Sequence, residues 1–88
     1  MKVYVVQIAY CTGSWGDTDS WRIDSIKDSE QKAQARIEEL ANAEMSEKTD
    51  DGDYPKITEN TPGTITIARD GYEDEDFTSY FYEEYEVG

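Results

Sequence analysis

The sequence predicts an α+β domain, a three- to four-stranded, mainly antiparallel sheet with one amphipathic helix packed on one face. Three observations carry this. Lys2 to Tyr10 alternates with apolar residues on both faces, and a stretch opening near Asp28 repeats its apolar residues at helical spacing. Later segments rich in Thr, Ile, Tyr and Phe alternate as strands do. At 88 residues the chain makes a single small acidic domain, 1–88, with a thin core.

In the opening strand Val3, Val5, Gln7 and Ala9 take one face and Tyr4, Val6, Ile8 and Tyr10 the other, which suits a central position. Cys11 to Ser20 is rich in Gly, Ser, Thr and Asp and reads as a connecting loop. Trp21 to Ile26 is a second strand, Trp21 and Ile23 pointing one way and Arg22 and Asp24 the other, paired to the first as a long-looped antiparallel hairpin. Asp28 is the expected N-cap of the helix, with Gln31 completing a capping box. Ala33, Ile37, Leu40, Ala41 and Met45 form its apolar stripe, and Lys32, Arg36, Glu38, Glu39 and Glu47 its wet face. Ser46 to Asn60 reads as a long polar loop, Thr64 to Arg69 as a strand with Ile65 and Ile67 inward, and Asp70-Gly71 as a turn. Residues 77 to 87 fit a strand face or a helical stripe, and their density of Tyr, Phe and Thr favours the strand.

Charge narrows the function classes. Twenty-one acids against eight bases give a net charge of −13. Such a chain repels nucleic acid, which binds through Lys and Arg, and anionic membranes as well. A basic protein is its natural complement; the competing reading is that the acids only solubilise. One cysteine, Cys11, excludes an intramolecular disulfide and points to a reducing, cytoplasmic setting. No apolar run approaches the ~20 residues of a membrane span, and the opening run is too short and strand-like for a signal peptide. The chain has no histidine, so the commonest general base is missing and Cys11 has no such partner to activate it. Neither a nucleophile-elbow nor a phosphate-loop pattern occurs. The expectation is therefore a non-enzyme without cofactor. Asp50, Asp51 and Asp53 are clustered, as are Asp17 and Asp19, but neither group has the ligand spacing of a calcium loop.

The strongest local signal lies at 70–88, with eight acids and no base. On a strand over 77–87, Tyr80, Tyr82, Glu84 and Glu86 share an outer face, while Phe77, Phe81 and Val87 pack under the helix. Alternate residues then stand ~6.6–6.8 Å apart, near the spacing of successive phosphates on a nucleic-acid strand. The expected contact set is Asp70, Glu73, Asp74, Glu75 and Asp76 as phosphate stand-ins, with Tyr80, Tyr82, Glu84 and Glu86 beside them. The competing structural reading is an edge strand kept from aggregating by its charges. Trp15, within Gly13-Ser14-Trp15-Gly16, is either an exposed anchor or a cap on the core.

Two resemblances bear on function. Met1-Lys2-Val3-Tyr4-Val5-Val6, Ile23-Asp24-Ser25-Ile26 leading into Ser29 to Leu40, and Glu83-Glu84-Tyr85-Glu86-Val87 resemble small uncharacterised ββαβ proteins of phages and bacteria. The likeness departs at the acidic insert from Ser46 to Thr64 and implies a fold, not an activity. The run Gly71-Tyr72-Glu73-Asp74-Glu75-Asp76-Phe77 in a short acidic chain is similar to phage-borne DNA mimics, among them acidic anti-CRISPR proteins and inhibitors of restriction or uracil-removal enzymes. That likeness implies an inhibitor that fills the basic groove of a host CRISPR effector, or of a restriction or repair enzyme, as a monomer or homodimer. The alternative is a structural or regulatory self-associating module, pairing through its aromatic strand.

Overall fold

The computed structural model describes residues 1–12, 18–46, 55–69 and 77–87. Its elements are β1 (Lys2–Thr12), β2 (Thr18–Lys27), α1 (Glu30–Met45), β3 (Lys56–Thr61), β4 (Thr64–Ala68) and β5 (Phe77–Glu86). The strands form one sheet in the order β2-β1-β5-β4-β3, every neighbouring pair antiparallel. The α+β class is as expected, with five strands in place of three or four.

β1 is apolar on both faces because both are used. Val6 and Ile8 are fully buried towards α1, beside Ile65 and Ile67 of β4 and Tyr80 of β5. From the helix Ala33, Ile37 and Ala41 close this core, with Leu40 and Met45 packed at its margin. Each branched side chain removed from water there contributes ~1.5–3 kcal/mol before the entropy of ordering is set against it. Small residues at 33 and 41 let the helix approach the sheet, so Ile37 is the one large side chain that α1 buries completely.

The helix begins one residue later than expected. Ser29, in extended conformation, is the N-cap, and its hydroxyl accepts from the Lys32 amide at 3.2 Å. Asp28 instead pairs with Lys32 Nζ at 3.0 Å. Either side chain could cap; the one whose backbone is extended while the next turn is helical does so. Past the helix, the expected loop over 46–60 gives way to β3, Lys56–Thr61, exposed at all six positions. Lacking a buried face, this strand leaves no apolar period in the sequence, and its ladder with β4 holds it in place. Gly63 turns the chain between them at φ 91°, where glycine alone is unstrained. Its N–H donates to Gln34 Oε1 at 3.0 Å and its carbonyl accepts from the Tyr82 amide at 3.2 Å, which ties the turn to helix and sheet. β1 and β2 also extend further into the expected loop than predicted, to Thr12 and from Thr18.

Phe77–Glu86 forms a strand, and two expectations about it are overturned. β5 is the middle strand, paired to β1 on one side and β4 on the other, so its acids do not guard an edge. Its faces are also reversed. Ile8 opposes Tyr80 and Val6 opposes Tyr82, so these tyrosines share the helix side. Phe77 and Phe81 lie half-buried on the other face. A phenol can reach the helix and still satisfy its hydroxyl there, and a strand with aromatics at both parities is free to take that register.

Candidate interaction surface

Nine residues formed the expected contact set, and five of them, Asp70, Glu73, Asp74, Glu75 and Asp76, lie outside the described residues. The other four are on β5 and are largely engaged within the chain. Tyr80 is 5% exposed and donates to Glu44 Oε1 of α1 at 2.8 Å, so it belongs to the core and not to a contact face. Tyr82 is half-buried, edge-on to Tyr4 with ring centres 6.0 Å apart, and donates to Glu30 Oε1 at 3.2 Å. Glu84 accepts from the Tyr4 hydroxyl at 3.1 Å and pairs with Lys2 at 3.6 Å. Glu86 pairs with the terminal amine at 3.5 Å. These carboxylates face water but carry their own counter-charges.

A repeated contact emerges from this geometry. Tyr4, Tyr80, Tyr82 and Tyr85 each donate to a glutamate, Tyr85 to Glu83 at 3.1 Å. A phenol so placed resists ionisation, because the phenolate would confront the carboxylate without the shared proton. All four are held above the ordinary value of 10.0. Burial is the leading cause for Tyr80 and Tyr82, followed by Glu44 and Glu30; the bonds to Glu84 and Glu83 lead for Tyr4 and Tyr85. A raised folded value means the stabilisation is complete below pH 10 and is lost as the pH climbs through the folded range. Ultraviolet absorbance titration is therefore expected to show Tyr80 ionising only as the chain unfolds in alkali. Tyr80→Phe should delete that step and cost ~1–2 kcal/mol by stripping Glu44 of its donor. Tyr4, Tyr80, Tyr82 and Tyr85 titrating together at the ordinary value would contradict the arrangement.

The bases are distributed differently. Arg36 makes hydrogen bonds of 2.8 and 3.0 Å to Asp24 on β2 and a further bond to Glu39. Beside that guanidinium the Asp24 carboxyl sits below the usual carboxylate range, with the bond from Ser25 helping. Lys2, Lys32 and the terminal amine are paired as described. The acid excess lies elsewhere, because residues 13–17, 47–54 and 70–76 together hold ten acids and one base. The described ends of those three segments lie at one end of the sheet. Thr12 opposes Thr18, Cys11 opposes Phe77, Ala68 opposes Phe77 and Lys56 opposes Ala68. Running from Glu30 beside Tyr82 to Glu44 beside Tyr80, α1 delivers Ser46 towards the same end.

The face of the sheet away from α1 is the feature that strand-by-strand reading missed. Trp21 opposes Ala9, Ile23 opposes Gln7, Ile26 opposes Val5 and Tyr85 opposes Val3, all on the parity opposite to Val6 and Ile8. A polar chain crosses this face. Trp21 Nε1 donates to Gln7 Oε1 at 2.7 Å, Gln7 Nε2 donates to Glu83 Oε1 at 3.2 Å, and Tyr85 donates to Glu83 Oε2. Gln7 is only 3% exposed although it lies on the face away from α1. Beside Trp21 an apolar notch of about 210 Å³ is lined by Ala9, Cys11 and Phe77.

Among the described residues no three Cys, Asp or Glu side chains converge as a metal site, and no helix is long and apolar enough to cross a membrane. Asp50, Asp51, Asp53, Asp17 and Trp15 fall outside those residues. The architecture defines a small α+β chain with a five-stranded antiparallel sheet and a helix on one face. No family model matches the chain, and neither a curated protein nor a solved structure matches it.

Proposed function

We propose that this chain is an acidic decoy that binds the basic nucleic-acid groove of a host enzyme and keeps DNA out of it, acting in the cytoplasm. The reading is carried by one observation, the ten acids and one base in three segments whose anchoring ends converge on one end of the sheet. Nine of the thirteen net negative charges come from those segments. Acids in segments so anchored would attract a basic groove from a distance, which raises the association rate more than the final affinity. Asp70, Glu73, Asp74, Glu75 and Asp76 supply the largest share of that charge. Glu84 and Glu86 contribute less, since Lys2 and the terminal amine offset them. Tyr80 is withdrawn from the contact set by its burial.

The first enzyme to test is a guide-loaded CRISPR effector, followed by a restriction endonuclease and a uracil-removing glycosylase. Fluorescence anisotropy of labelled duplex DNA on each enzyme reads displacement directly. Displacement is expected from at least one, weakening about tenfold or more as salt rises from ~50 to ~200 mM. Reversing Glu73, Asp74, Glu75 and Asp76 to Lys should abolish it while circular dichroism stays unchanged. No displacement of DNA from any of the three at low salt would overturn the proposal.

A further inference from the structure

We propose that the uncovered face of the sheet is the surface on which a second copy of this chain docks, face to face, forming a homodimer with the two helices outermost.

Exposure is concentrated there. Trp21, Ile23, Ile26 and Tyr85 are 58, 52, 62 and 47% exposed, against 0–5% for Val6, Ile8, Ile65, Ile67 and Tyr80 on the helix side. Met1 and Val87, joined backbone to backbone, extend the Val3–Tyr85 row at the sheet's end and are also exposed. Scattered apolar residues need no explanation, but a contiguous patch on a small domain marks a contact surface.

The face is organised before anything binds. The Trp21–Gln7–Glu83–Tyr85 chain ties both aromatic rings by their polar tips into one network with the buried Gln7. Rings held this way lose little rotamer freedom on association, which is what anchors at the centre of an interface require.

Charge selects the occupant. Among the described side chains the charged one at the centre of the face is Glu83, already accepting from Gln7 and Tyr85, and Lys56 and Glu59 lie out on the β3 edge with opposite signs. A basic partner would find little to pair with there. A second copy would meet no opposing row of acids, which elsewhere on a chain of net charge −13 it would. Size agrees as well. Strands of 11, 10, 10, 6 and 5 residues, spaced ~4.8 Å apart, give a face of roughly 670 Å², in the lower part of the ~600–1,000 Å² per partner of a standard stable interface. Two such faces pack ~10 Å apart in a twofold, self-complementary contact.

The dimer and the basic-groove contact respond to salt in opposite senses. Salt screens repulsion between two −13 chains, so it should tighten the dimer while it loosens an acidic-to-basic contact. Sedimentation equilibrium of the full chain over a micromolar concentration series, at low and high salt, tests this. The expected result is a mass of twice 10.1 kDa that forms at lower concentration when salt is raised. In a Trp15→Phe background, Trp21 emission should shift to the blue as the dimer forms. The double variant I23K/I26K should remain monomeric, its dissociation constant raised at least about a hundredfold, with unchanged circular dichroism because both positions are exposed. A 10.1 kDa species at every concentration and salt, with water-exposed Trp21 emission throughout, would overturn the proposal. A dimer that survives I23K/I26K would overturn it too, since the contact would then lie elsewhere. Displacement of DNA by the I23K/I26K monomer would leave the proposed function standing whichever result is obtained.

Discussion

Ile37→Ala is expected to lower the unfolding free energy by about 3 kcal/mol, within the 2–5 kcal/mol range of such truncations. The helix meets the sheet through Ala33, Ile37 and Ala41, and two of those side chains are a single methyl group. Ile37 is therefore the knob that fills the space above Val6, Ile8, Ile65, Ile67 and Tyr80. The sheet beneath is pinned by four ladders and cannot sink to fill the gap, so the cavity term adds to the lost transfer energy. Domains of this size have a total of about 5–15 kcal/mol, so such a loss would move the urea midpoint far to the left without changing the slope. Ile37→Val should cost only ~1 kcal/mol. If the alanine variant lost less than the valine variant is expected to lose, the helix would not be seated through this residue.

The second large effect is expected at Arg36. Its guanidinium crosses from the helix to Asp24 on β2, whose side chain is 13% exposed. Arg36→Ala leaves that carboxylate with the Ser25 hydroxyl and the charge of Lys27, and the cost should be ~2 kcal/mol, below the 3–5 kcal/mol of a fully buried pair because Arg36 still meets water. The pH dependence has a definite sign. A folded pKa held below the ordinary 3.8 makes the pair's contribution complete above that value and lost as pH falls through the folded one. Asp24→Asn should thus be markedly weaker than the parent near neutrality and indistinguishable from it in strong acid. Mild acidification works in the other direction on the whole chain, since protonating excess carboxylates relieves self-repulsion. The parent should therefore be most stable on the acid side of neutrality, then lose stability once Asp24 is protonated. Denaturant curves across the pH range for parent and variant check both branches, and a gap that persists in strong acid would exclude the pair as its origin.

What the sequence reveals, and what it hides, follows from how far apart the deciding residues lie. Val6, Ile8, Ala33, Ile37, Ile65 and Ile67 are core at local periods of two or about four, and local patterning finds them. The facing of β5 is not local. Its run of Phe, Tyr and Glu carries aromatics at both parities, and the choice is made by Glu44 and Glu30, 36 and 52 residues away. β3 is hidden for the opposite reason, because six exposed residues have no inner face to betray them. The direction of Trp21 and Ile23 was readable from alternation, whereas their exposure was not. It depends on the described residues placing no second layer over that face, a property of the assembled sheet and not of any strand.

The order of strands along the chain and across the sheet sets the timing of assembly. β5 is the last strand in sequence and the middle one in space, with Lys2 opposite Glu86 and Thr64 opposite Phe81. Until residues 77–86 have been synthesised, β1–β2 and β3–β4 are two hairpins with nothing between them, and two-stranded ribbons of that kind are marginal in water. The central ladder must then join residues that lie 66 (Cys11 to Phe77) to 84 (Lys2 to Glu86) positions apart, an entropic cost met before its contacts return anything. Folding should consequently be slow for so short a chain, in the millisecond-to-second range of non-local β topologies, and all-or-none once β5 inserts.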